Sequence, residues 1–175
     1  MKHLLKAALA AVAVSAIAAP AMAQTSATQS TTATVKIVQP ITLTKTADLA
    51  FGTVVKPTTG TNTVTIANAA DTAAVTGAGD AALAPSTTSR AAFTVGGEGA
   101  STFSISVPAS VTMTRSGGSD TLEVTLTPSS TSGSLSGSAG SAGSTTFTVG
   151  GALTVASTTV TGSYTGSFNT TVAYN

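Results

Sequence analysis

From Ser163 to Tyr174 the chain alternates without a break. Tyr164, Gly166, Phe168, Thr170, Val172 and Tyr174 form one set. Ser163, Thr165, Ser167, Asn169, Thr171 and Ala173 form the other. Successive side chains of a strand point to opposite faces, so this spacing predicts one long strand with a single inward face. The same period recurs upstream. Ala33, Val35 and Ile37 alternate with Thr34 and Lys36, and Ile41 and Leu43 resume beyond Pro40. Val64 and Ile66, Phe93 and Val95, and Phe103, Ile105 and Val107 continue it. Val111 and Met113, then Leu122, Val124 and Leu126, follow. Phe147 and Val149 lead into Gly150-Gly151, read as a turn, and Leu153 and Val155 open the next strand. Helical spacing is absent after Ala23. About nine to eleven short strands at turn-delimited spacing predict an all-β sandwich or barrel.

The aromatics Phe51, Phe93, Phe103, Phe147, Tyr164, Phe168 and Tyr174 fall within the strand-like segments and read as core. Gly52, beside Phe51, marks a bulge or a close-packing point. Residues 67–89 form a long small-residue stretch. Residues 129–144 are Ser/Gly-rich low complexity, which predicts a flexible surface loop.

The start of the chain has a different character. Met1 to Lys6 is short and positive, and Ala7 to Ala19 is apolar apart from Ser15. Pro20-Ala21-Met22-Ala23 then supplies small residues where a signal peptidase inspects them. This pattern predicts a helical secretory signal cleaved after Ala23, with Ala21 and Ala23 as the inspected positions. Its apolar run is short for a membrane span, and no other segment is apolar enough to span as a helix.

Cleavage there removes Lys2, Lys6 and the sole histidine, His3. The remaining cations are Lys36, Lys45, Lys56, Arg90 and Arg115, dispersed along the chain. They make no basic patch, so nucleic acid is not an expected partner. There is no cysteine. Without His or Cys, Ser–His–Asp and Cys–His catalysis and the commonest zinc sites have no ligands. The acids are Asp48, Asp71, Asp80, Glu98, Asp120 and Glu123. Asp71 and Asp80 lack any calcium-loop spacing and read as solvated loop acids. Asp120 and Glu123 flank a strand start and read as solvent-facing. Gly96-Gly97-Glu98-Gly99 has no helix pattern after it, so it reads as a hairpin turn and not a phosphate cradle. Gly133-Ser134-Leu135-Ser136-Gly137 has Leu where a nucleophile elbow needs Ser. The chain is therefore expected to be non-enzymatic and without cofactor or metal.

Five segments in order carry a resemblance. They are Pro40-Ile41-Thr42-Leu43 with Lys45; residues 48–54, with Phe51-Gly52-Thr53-Val54; residues 90–95; residues 149–155; and Gly162 to Phe168 with Val172-Ala173-Tyr174-Asn175. Together they resemble the bacterial family called domain of unknown function 4402, whose members are small exported proteins without an assigned activity. The chain is also similar to chaperone–usher pilin subunits and to spore coat protein U. Pilins carry a glycine fourteen residues from the end and an aromatic next to last, matched here by Gly162 and Tyr174. The resemblance implies an immunoglobulin-like (pilin-like) antiparallel β-sandwich that lacks one strand. An extension from the next subunit would fill the gap by strand addition. It also implies a periplasmic chaperone and an usher as partners. Two departures are plain: the pilin disulfide is missing, and Gln24 to Thr32 is too polar to fill apolar pockets.

The expected organisation is a signal over residues 1–23, an N-terminal extension or first strand over 24–38, and a sandwich over 39–175. Gly162, Tyr164, Phe168, Val172 and Tyr174 are the candidate assembly strand. Ala33, Val35 and Ile37 are the candidate donor. The expected function is a fimbrial or surface-coat subunit, exported to the periplasm, cell surface or medium, that pairs with its own kind. The alternative is a complete, monomeric secreted sandwich whose loops bind a surface glycan or a protein.

Overall fold

Hydroxyl-rich strands with one apolar face must bury that face against other elements. Among the described residues the strands of different sheets share one apolar core. A computed structural model describes residues 26–175. The signal and its cleavage positions Ala21 and Ala23 lie outside the described residues. Residues 26–35 and residues 36–175 form separate units. Residues 26–35 contain no strand, and their side chains are exposed.

The second unit is all-β and antiparallel, with no helix among the described residues. Its strands are β1 (Thr42–Ala47), β2 (Thr53–Val55), β3 (Thr61–Ile66), β4 (Ala73–Gly77) and β5 (Ala82–Ala84). Then come β6 (Ala91–Glu98), β7 (Thr102–Ser106), β8 (Ser110–Arg115) and β9 (Thr121–Pro128). The last are β10 (Ser132–Ser134), β11 (Ala142–Ala156), β12 (Tyr164–Thr165) and β13 (Thr171–Tyr174). The main sheet runs β1-β6-β11-β9-β8-β12, with β3 and β4 joined to the far half of β11. A second sheet is β10-β7-β13, and β2 pairs with β5 alone.

The long strand β11 organises this arrangement. On one edge Ala142–Val149 pairs with β6, and Gly151–Ala156 pairs with β3. On the other edge Val149–Leu153 pairs with β9. The turn expected at Gly150-Gly151 is absent, because the strand continues through both glycines while changing partner. The apolar phase explains why. A two-residue hairpin sets its flanking residues on one face, which would turn Ala152 and Thr154 inward. A continuous strand turns Leu153 and Val155 inward, and these are the buried residues, at 5% and 6% exposure. Phe147 on this strand stacks on its register partner Phe93, with ring centroids 5.1 Å apart. Val64, Val95, Phe103, Val124 and Val149 complete a nearly water-free core.

Four more expectations are corrected. The alternation at Ala33, Val35 and Ile37 gives no strand, which leaves the extension of the two alternatives for this segment, and the first strand among the described residues begins at Thr42. The terminal alternation does not make one strand. It divides into β12, which pairs with β8, and β13, which pairs with β7 in the other sheet. Near Gly166 the chain passes so close to Thr112 that a Cβ would lie 2.7 Å from its carbonyl oxygen. From there it crosses between sheets without a pairing partner. The face assignment still holds: Tyr164, Phe168, Thr170, Val172 and Tyr174 are half-buried, and the intervening residues are exposed.

Third, residues 129–144 are not a free loop. They contain β10 and the start of β11, and Leu135 is buried at 3% exposure. Leu135 N–H donates to the Ser101 carbonyl at 2.9 Å, and its own carbonyl accepts from Ala100 at 3.2 Å. Fourth, Gly96-Gly97-Glu98 continues β6. The reversal comes after Glu98 and joins two sheets, because β6 and β7 are not partners. The small-residue stretch likewise yields β4 and β5.

Candidate assembly groove and terminal latch

Among the described residues β2 pairs with no strand but β5, and β12 with none but β8. Each therefore keeps one unpaired edge, an open template for another strand. Residues of both strands line a groove of about 660 Å³, to which β5 contributes nothing. Its apolar lining includes core residues Phe51, Leu153 and Val155, with half-buried Leu49, Val54 and Met113 beside them. Val160 stands on the opposite wall at 43% exposure. Gly52 has φ +73°, and a Cβ there would meet Ser86 Oγ at 2.5 Å. Only glycine lets this wall turn so tightly. At one end Lys56 Nζ donates to the carbonyls of Ser157 and Thr159, at 3.0 and 3.2 Å. This ammonium spans the two walls.

The candidate assembly residues divide between two places. Gly162 and Tyr164 lie on the groove wall. Gly162 leaves room for the Arg115 stem, which a Cβ would meet at 2.7 Å. Tyr164 O–H donates to the Val160 carbonyl at 2.7 Å and fixes that wall. Phe168 and Val172 instead pack on the core. Tyr174 belongs to a separate cluster at the end of β6.

There the Tyr174 hydroxyl accepts from Glu98 N–H at 2.7 Å and donates to the Gln39 carbonyl at 2.8 Å. The Glu98 carboxylate accepts from Gln39 N–H at 3.3 Å and from Gly140 N–H. Glu98 is only 4% exposed. The Gly140 and Gln39 amides, with the charge of Lys36, hold its pKa below the ordinary 4.5 against the opposing effect of burial. The Tyr174 ring needs a glycine beneath it, since a Cβ on Gly97 would lie 2.2 Å from the hydroxyl oxygen. Tyr174→Phe leaves Glu98 N–H and the Gln39 carbonyl without this partner. We expect a loss of about 1–3 kcal/mol. Urea unfolding should show a lower midpoint with an unchanged slope.

The other acids are dispersed. Asp80 accepts from Thr58 Oγ1 and N, both at 2.6 Å, and the hydroxyl contact foremost lowers its pKa. Asp71 accepts from Arg90 N–H at 3.2 Å, and Asp120 pairs with Arg115 at 2.7 Å. Among the described residues no group of three potential ligands could hold a metal ion.

Sequence reasoning missed Lys56, Val160 and Glu98. Val160 carried a signal, as a lone apolar residue between threonines in Ser157-Thr158-Thr159-Val160-Thr161. Lys56 and Glu98 carried none, because their partners are backbone groups distant in sequence. A family model described as Domain of unknown function (DUF4402) matches residues 41–174. No curated protein and no solved structure matches the chain.

Proposed function

The chain belongs to the DUF4402 family, and we propose that it is an exported, non-enzymatic structural subunit that assembles by β-strand addition. The observation that carries this reading is the groove between β2 and β12. It combines an opening onto apolar core residues with two unpaired strand edges, which are the two things an added strand satisfies.

The proposed occupant is the segment Ala33 to Val38 of a second copy. Val35 and Ile37 are 85% and 86% exposed, and Val38 is 40% exposed. Exposed β-branched side chains at alternate positions of an unpaired segment suit an added strand. Extended, six residues reach about 20 Å. Seating Val35 and Ile37 fully would contribute about 1.5–3 kcal/mol each before the costs of association. Donor and acceptor are different surfaces, so the contact is heterologous and propagates into a fibre.

The domain is then an incomplete immunoglobulin-like sandwich, completed by its neighbour. Before assembly the groove needs a cover, which a periplasmic chaperone would supply and an outer-membrane usher would remove. Export through the signal places this chemistry in the periplasm or at the cell surface.

Deleting residues 26–38 tests the proposal. The intact chain should form concentration-dependent oligomers by sedimentation, and the shortened chain should stay monomeric with unchanged unfolding. Strict monomers from both would remove the proposal and favour a complete, loop-binding domain.

A further inference from the structure

We propose that Glu98 is an acid-sensitive latch, fastening both the base of the N-terminal extension and the Ser/Gly loop to the end of β6. The proposal rests on the cluster's geometry and stands whether or not the extension is a donor. Gln39 and Gly140 lie 59 and 42 residues from Glu98. Each points its N–H at a different oxygen of one carboxylate. Gln39 is therefore held on both sides of its Cα, by Glu98 through its N–H and by Tyr174 through its carbonyl.

The ionised form does this best. A carboxylate offers acceptors on both oxygens, whereas a carboxylic acid turns one of them into a donor. Protonation removes the charge that strengthens both contacts and leaves the hydroxyl oxygen a poorer acceptor, so both amides are held less tightly. The neighbouring elements bring few other charges. Lys36 comes from the segment before β1, and Tyr174 comes from β13. The loop over 136–141, strands β7 and β10 and the whole of β11 contain no charged side chain. Lys45 of β1 is paired with Asp48. Glu98 is the buried carboxylate among the described residues.

The direction of the pH effect follows. The two amides hold the folded-state pKa below the ordinary 4.5. A depressed carboxylate pKa gives stability that is full above the ordinary value and lost as pH falls through the folded value. The latch is closed at neutral pH and weakens in acid, loosening the stretch from Lys36 to Gln39, while Tyr174 still holds the Gln39 carbonyl and Ile41 still packs on the core. That stretch is the root of the segment bearing Val35 and Ile37. Asp80 and its Thr58 contact form a second acid-sensitive pair, which holds a different loop.

Hydrogen exchange on the purified protein tests this, read as protection relative to the unfolded chain at each pH. Between pH 7 and pH 3, protection at Gln39 and Gly140 should fall by at least about tenfold. The β11 amides should stay protected. Glu98→Gln replaces one acceptor by a donor and should show at pH 7 the loss that the wild type shows in acid. Parallel acid profiles for wild type and Glu98→Gln, with full protection of both at pH 7, would overturn the proposal. Should that variant fail to fold, a carboxyl NMR titration of the wild type decides. The Gln39 and Gly140 amide shifts should move with the Glu98 carboxyl, and independent movement would overturn the latch.

Discussion

Gly150→Val is expected to yield no folded domain, and Gly150→Ala a domain destabilised by about 3 kcal/mol or more. For a domain of this size the alanine change corresponds to a Tm lowered by roughly 10 °C. Gly150 lies where β11 passes from β6 to β3 along the same edge. The chain leaving β3 crosses directly over it. A Cβ there would lie 2.4 Å from the Ile66 carbonyl oxygen and 2.5 Å from Asn68 N. Both are backbone atoms, so no rotamer change relieves the contact. The crossing is also fastened on each side. Asn68 donates to the Pro128 carbonyl at 3.1 Å, and Thr148 Oγ1 donates to the Asn68 carbonyl at 2.6 Å. Relief therefore requires separating β3 from β11 beside the most buried part of the core. Circular dichroism and thermal unfolding of the two variants read the effect. A Gly150→Ala Tm within about 2 °C of the wild type contradicts this account of the crossing.

Ile37→Asp should reduce assembly by at least about a hundredfold in concentration while leaving the folded unit intact. The side chain is 86% exposed, so its replacement touches nothing in the isolated fold. Surface changes of this kind usually stay within about 0.5 kcal/mol. In a groove lined by Phe51 and Leu153, however, the carboxylate would lose its water without gaining a partner. Val160→Asp on the opposite wall should act in the same way, from a residue that is 43% exposed. Sedimentation and thermal unfolding separate the two effects. Unchanged assembly by both variants would contradict the proposed contact.

The class of the fold was legible because alternation is a direct image of the pleat. Val64, Val124 and Phe103 were readable as core from period alone, and all three are buried. The errors have a common cause: period two reports which face a residue occupies, but not which strand lies beside it. The alternation from Ser163 to Tyr174 predicted the faces correctly while concealing that β12 and β13 belong to different sheets. At Gly150-Gly151 the glycines suggested a turn, although the parity of Leu153 and Val155 already favoured a continuous strand. At Leu135 a Ser/Gly background hid a single side chain that pins the segment. The Glu98 cluster was not readable at all. Its partners are the backbone amides of Gln39 and Gly140 and the hydroxyl of Tyr174. Backbone groups leave no trace in residue identity.

The absence of cysteine from the chain makes cross-linking unusually clean. Ile37→Cys and Val160→Cys would be made on separate copies, mixed and oxidised. A disulfide requires Cα atoms within about 7 Å, so it reports direct contact. Strand addition predicts a covalent dimer in the mixture and little in either variant alone, because donor and groove are then on different molecules. A mixture that yields no more dimer than the separate variants would contradict the seating of this segment in the groove.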